Sequence, residues 1–227
     1  MTKKLIILFV AMGVTYISQA QGYSRGLASL TDTPAAAFST QTPPAFALRT
    51  NLIYWASIVP QITPNGGIEV GLSQKMTFNF TGAYNWFGLK GTDDSNKKLV
   101  HWIVEPEVKY WFCERFNGSA VGVHAIYSKY NVGQYHIPLL FDGDKDIPND
   151  KGSNHRYEGS AVGGGVSYNY HWMVGKRFGV EFTLGAGFLM MQYDRYNCPS
   201  CGNHEGIYKK TYLGPTKIGI NLVYLIK

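Results

Sequence analysis

Apolar and polar residues alternate along most of the chain downstream of about residue 46, with a period of two. Val162, Gly164, Val166, Tyr168, Tyr170 and Trp172 share one parity, and Gly163, Gly165, Ser167, Asn169 and His171 share the other. Phe178, Val180, Phe182, Leu184, Ala186 and Phe188 repeat the pattern against Glu181, Thr183, Gly185 and Gly187. That period sends successive side chains to opposite faces of a strand. It predicts strands at about Phe46–Ser57, Ile68–Leu72, Met76–Trp86, Val100–Phe112, Ser119–Tyr130 and Thr211–Ile226, with two more flanking Gly175-Lys176-Arg177. The gaps alternate, long after the odd strands and short after the even ones. Asn131 to Arg156 and Arg195 to Lys210 read as two of the long loops.

One face of these strands is greasier than the other, and the polar set includes charges. A soluble lipocalin-type barrel would hide its apolar set inside. The expected architecture is therefore all-β: an eight-stranded antiparallel up-and-down transmembrane β-barrel with short periplasmic turns and long outer loops. Tyr54, Trp86, Trp102, Tyr110, Phe112, Tyr168, Trp172, Phe178 and Tyr224 fall near strand ends on the apolar parity. An interfacial aromatic girdle would place them there.

The N-terminus reads as a secretory signal over residues 1–20. Lys3 and Lys4 precede an apolar run from Leu5 to Val14, and Ser18-Gln19-Ala20 supplies the small residues of a cleavage site. That run is too short for a spanning helix, which needs about 20 apolar residues. Residues 21–45, rich in Ala, Ser, Thr, Gly and Pro, form a flexible lead-in, and 46–227 form the barrel. The formal charge of +6 includes the two signal lysines and has no dense basic cluster behind it. Nucleic acid is a poor partner for such a chain, all the more if it is exported.

The layout resembles small eight-stranded outer-membrane proteins of the OmpW and OmpA-barrel kind. Closer local similarity is to an uncharacterised Gram-negative family, domain of unknown function 3575. It is carried by Asn51-Leu52-Ile53-Tyr54, Pro64-Asn65-Gly66-Gly67-Ile68-Glu69-Val70-Gly71-Leu72 and Pro106-Glu107-Val108-Lys109-Tyr110-Trp111. Cys113-Glu114-Arg115-Phe116-Asn117-Gly118, Arg156-Tyr157-Glu158-Gly159 and Gly214-Pro215-Thr216-Lys217 add to it. The resemblance implies the outer membrane and supplies no activity. Lys217, Gly219, Leu222 and Tyr224 also resemble the signal by which such strands engage barrel-assembly machinery, although the chain ends in Lys227 where an aromatic is usual.

Arg49, Glu69, Glu105, Glu107, Lys109, Glu181 and Lys217 share the lumen parity. Eight strands leave an interior just wide enough for side chains, so these charges are expected to pair as a plug. Glu105 and Glu107 point the same way about 6.6 Å apart, but a plug would shut such a carboxylate pair off from substrate. His124 and Ser128 share a parity, yet lie roughly 13 Å apart along the strand, and Ser153 with His155 falls in a loop. Cys198 and Cys201, with His204 following, have partial zinc spacing; in an oxidising compartment a local disulfide is the better reading. Cys113, at the periplasmic end, is expected to stay unpaired. Asp142, Asp144, Asp146 and Asp150 open like a calcium loop, but Ser153 stands where the closing Glu belongs.

The expected function is therefore non-enzymatic: an outer-membrane barrel, plugged by its side chains, acting in envelope structure or surface interaction through its loops. Neither cofactor nor metal is expected. Partners would be outer-membrane lipids, lipopolysaccharide and the assembly machinery. Two alternatives are a lipid A- or phospholipid-modifying enzyme and a narrow pore for small apolar solutes.

Overall fold

The computed structural model describes residues 45–56, 62–86, 98–133, 155–197 and 204–226. The elements are β1 (Phe46–Asn51), α1 (Leu52–Trp55), β2 (Asn65–Gly71), β3 (Met76–Asn85), β4 (Lys98–Trp111), β5 (Gly118–Gly133), β6 (His155–Met173), β7 (Phe178–Asn197) and β8 (His204–Ile226). Every strand pairs antiparallel with the next, and β1 closes the ring onto β8 from Phe46↔Ile226 to Asn51↔Asn221. The eight-stranded antiparallel barrel read from the alternation is the fold.

Several boundaries differ from the reading of the sequence. The first strand stops at Asn51 instead of running to Ser57. Its carboxamide oxygen accepts from Ile53 N at 3.0 Å and caps the single turn of α1, whose Trp55 Nε1 donates to Thr50 Oγ1 at 2.8 Å. Tyr54 is thus removed from the strand face where a girdle would need it. At β2, Asn65-Gly66-Gly67 is strand and not loop. The Asn65 side chain accepts from Asn51 N at 2.6 Å and donates to Asn51 O at 3.0 Å, tying the two strands together. Finally, Arg195–Asn197 and His204–Lys210 continue the β7–β8 hairpin, leaving only 198–203 between them. The last gap is therefore short, and His155 opens β6 instead of lying in a loop.

Those upper segments escaped the pattern because the two faces exchange character along the barrel. Nearer the short-turn end, large apolar residues point out: Val123 (66% exposed), Val166 (64%) and Leu184 (58%). Charges point in. Farther up the same strands, Lys129, Glu158, Gln192 and Lys209 are outside, while Ile126, Val132, Tyr157, Met191 and Tyr193 are buried inside. A register shift at Gly185/Ala186 leaves Thr216 without a cross-strand partner. This bulge reverses the parity of β8, turning Lys217 and Asn221 inward below it and Tyr208 and Tyr212 inward above.

Candidate functional site

The lumen is filled in three layers. At the short-turn end lies an apolar floor of Ala47, Trp111, Phe116, Ala120, Val223 and Leu225. Trp111 follows from the inward parity of Glu105, Glu107 and Lys109 but is apolar, so the charge pattern alone did not single it out. Its Nε1 donates to Thr77 Oγ1 at 2.9 Å, and its ring sits 5.9 Å from that of Phe116. Phe116 reaches this place from a left-handed backbone, φ 62°, a conformation costing an ordinary residue about 1–2 kcal/mol. Burial to 2% exposure repays that strain, since a buried phenyl contributes about 1.5–3 kcal/mol.

Above the floor, the seven predicted lumen charges all come together. Arg49 forks between Glu69 and Glu181. Lys109 Nζ donates to Glu69 Oε2 at 3.0 Å and to Glu181 Oε1 at 2.8 Å, completing a four-membered ring. Glu69 also accepts from Thr77 Oγ1 at 2.6 Å. The remaining three form a second group: Lys217 Nζ lies 2.8 Å from Glu107 Oε2 and 3.9 Å from Glu105 Oε2. Neutral residues bridge the groups. Thr183 Oγ1 donates to Asn169 Oδ1 at 2.8 Å, Asn169 Nδ2 donates to Glu107 Oε1 at 3.4 Å, and Ser167 donates to the same carboxylate.

Glycines opposite the charges give them room. A Cβ on Gly122 would lie 2.6 Å from both Glu107 Oε1 and Ser167 Oγ. One on Gly179 would lie 2.1 Å from His171 Nε2. His171 was a parity position in the sequence and nothing more. In the structure it is buried, stacks edge-on against Trp111 at 6.1 Å between ring centroids, and holds Nδ1 3.8 Å from Glu181 Oε2.

The third layer, toward the long-connection end, is aromatic. Tyr157, Ala161, Met191 and Tyr193 are buried with Tyr130, Tyr208 and Tyr212 around them. Arg195 lies over the Tyr208 ring at 4.5 Å and donates from Nε to Glu205 Oε2 at 2.6 Å. Burial alone would lower the pKa of Arg195. The Glu205 hydrogen bond and its charge more than reverse that, so the net shift is upward.

The other candidates do not assemble. His124 Nε2 lies 3.0 Å from Thr216 Oγ1, a hydroxyl the sequence could not pair with it, but its buried Nδ1 has no partner to orient the ring as a general base. His155 Nε2 lies 3.7 Å from Glu205. His204 Nε2 is engaged by Asp194 Oδ1 at 2.8 Å. Cys198, Cys201, Ser153 and the four loop aspartates lie outside the described residues. Cys113 is exposed and unbridged. Of the resemblance to an assembly signal, Lys217 and Gly219 face the lumen, while Leu222, 39% exposed, faces out. No group of His, Cys, Asp and Glu suited to a metal ion occurs among the described residues.

Residues 27–226 match the profile of a family described as "Protein of unknown function (DUF3575)". No curated protein and no solved structure matches the chain.

Proposed function

The chain belongs to the DUF3575 family, and from that premise we propose that it is a non-enzymatic outer-membrane barrel with a side-chain-plugged lumen, serving the envelope through its wall and its long-connection end. The observation that carries this reading is the exchange of faces. Over the lower part, apolar outside and charged inside suits a wall set in hydrocarbon, where a closed barrel satisfies every backbone group. Over the upper part, polar outside and tyrosine-rich inside suits a wall standing in water. Strands β6, β7 and β8, at 19, 20 and 23 residues, are about twice the 9–11 residues that a bilayer requires. Their upper halves would project beyond it. Trp102 and Tyr127 at the upper edge of the apolar belt, with Phe112, Trp172 and Phe178 at the lower edge, occupy headgroup depth in this arrangement.

Fractionation with a heat-modifiability gel tests the membrane reading. The expected result is recovery in the outer membrane with a mobility shift on boiling; a periplasmic protein without a shift overturns it. Planar-bilayer recording tests the plug, which predicts silence. Discrete conductance steps would replace it with a narrow pore.

A further inference from the structure

A polar groove lies on the outer wall at the level where the faces exchange. Cross-strand register aligns its lower row as Trp102↔Lys129, Lys129↔Ser160 and Ser160↔Gln192. The row above it is Val100↔Asn131, Asn131↔Glu158 and Glu158↔Asp194. Together they line a hollow of about 410 Å³. Among the described residues, the side chains of Lys129, Ser160 and Gln192 have no hydrogen-bonding or ionic partner, while Asn131 Nδ2 donates to Glu158 Oε2 at 3.2 Å. The groove thus combines a cation, amides, a hydroxyl and two carboxylates. Glu158 already lies 3.4 Å from Arg156 Nη2, and Asp194 Oδ1 is taken by His204. A polyhydroxylated group, accepting from Lys129 and the amides and donating to the carboxylate oxygens those contacts leave, uses this mixture better than a simple anion. Trp102, in edge contact with Tyr127 at 5.3 Å, offers an apolar face at the lower rim.

Directly below the groove stands an apolar row of Tyr127, Val162 and Met190; in the next outward row Ala125 and Gly164 leave a gap beside the exposed Phe188. The next row carries Val108, Val123, Val166, Ala186 and Pro215, which border a mainly apolar hollow of about 760 Å³ that also touches Gly122, Ser167 and Gly185 of the lumen parity. Ser160 to Val166 spans six residues of β6, roughly 20 Å of strand, comparable to a long acyl chain.

We propose that this wall is a glycolipid site, with the sugar headgroup in the Lys129–Ser160–Gln192 groove and one acyl chain in the trough over Ala125 and Gly164. The proposal rests on the reading that the barrel sits in a membrane. The full chain would be reconstituted in phosphatidylethanolamine–phosphatidylglycerol nanodiscs. It would then be titrated with lipid A, an acylated phosphorylated diglucosamine, with added phosphatidylglycerol, or with the deacylated disaccharide, and retained molecules counted by native mass spectrometry. The expected result is lipid A retained at concentrations at least tenfold below those needed for phosphatidylglycerol, with weaker binding of the disaccharide. Ser160→Ala with Gln192→Ala, and separately Trp102→Leu, should each remove that preference, whereas Lys176→Ala at the opposite end should not. Equal retention of the two lipids, or a preference that survives both changes, overturns the site. Disaccharide binding as tight as lipid A overturns the acyl trough and makes the groove a plain glycan site. A chain that fails to enter the discs overturns the membrane reading itself, an outcome distinct from insertion without preference.

Discussion

Lys109 Nζ donates to Glu181 Oε1 at 2.8 Å across the barrel lumen, although the two residues are 72 apart in the chain. Glu181 is held by Arg49 as well, so one carboxylate satisfies two cations that are wholly enclosed. The plug is therefore a single connected unit, not a set of independent pairs.

Removing that carboxylate leaves both cations short of charge. Glu181→Leu should destabilise the barrel by about 3–5 kcal/mol, the usual cost of breaking a buried pair by deleting one partner. Glu107→Leu, which leaves Lys217 only the more distant Glu105 at 3.9 Å, should act in the same direction but less, because that partner remains and Lys217 is 11% exposed, so water can reach it. Urea unfolding in detergent micelles, followed by the midpoint, checks the order. Equal midpoints for wild type and Glu181→Leu would dismiss the plug as a stabilising unit.

The outward face is tested by one row. Val108 is 39% exposed on the apolar belt, and Val108→Lys should hinder insertion by roughly 2–4 kcal/mol if that row lies near the bilayer centre. Asn131→Lys, on the polar row above, should insert normally. The fraction of heat-modifiable protein after refolding into vesicles measures both. Insertion of Val108→Lys at the wild-type level would mean that the apolar belt does not face lipid.

Gly179→Ala should push the imidazole of His171 out of place, because the new methyl carbon would sit 2.1 Å from Nε2. Overpacking of this kind costs about 1–3 kcal/mol. His171→Ala should relieve it, so the double variant should be more stable than the sum of the single losses. Additive unfolding midpoints would dismiss this contact as the reason for glycine at 179.

Trp111 and Trp172 should report opposite environments. Trp111 is fully buried in the lumen floor, and Trp172 is 63% exposed on the outer wall. In single-tryptophan variants reconstituted with brominated lipid, Trp172 emission should be quenched strongly and Trp111 emission hardly at all. Comparable quenching would invert the assignment of the two faces.

The arrangement of faces was legible in the sequence wherever lipid-type and lumen-type residues alternate. Strand period, strand number and the inward parity of Arg49, Glu69, Glu105, Glu107, Lys109, Glu181 and Lys217 follow from side-chain direction alone, because a strand offers only two sides. Which charge meets which depended on closure. Arg49, Glu69, Lys109 and Glu181 come from β1, β2, β4 and β7, and only the ring joining β1 to β8 brings the first and the last of these within reach. Tertiary structure also decided the fate of Arg195 to Lys210. Within 195–197 and 204–210, Arg195 and Tyr208 face in while Ile207 and Lys209 face out, so the apolar-outside pattern that marks a strand lower down is broken there. The bulge at Thr216 reverses the parity as well. The same local alternation therefore means opposite things above and below the level where the two faces exchange character, and a one-dimensional pattern has no way to record where that level lies.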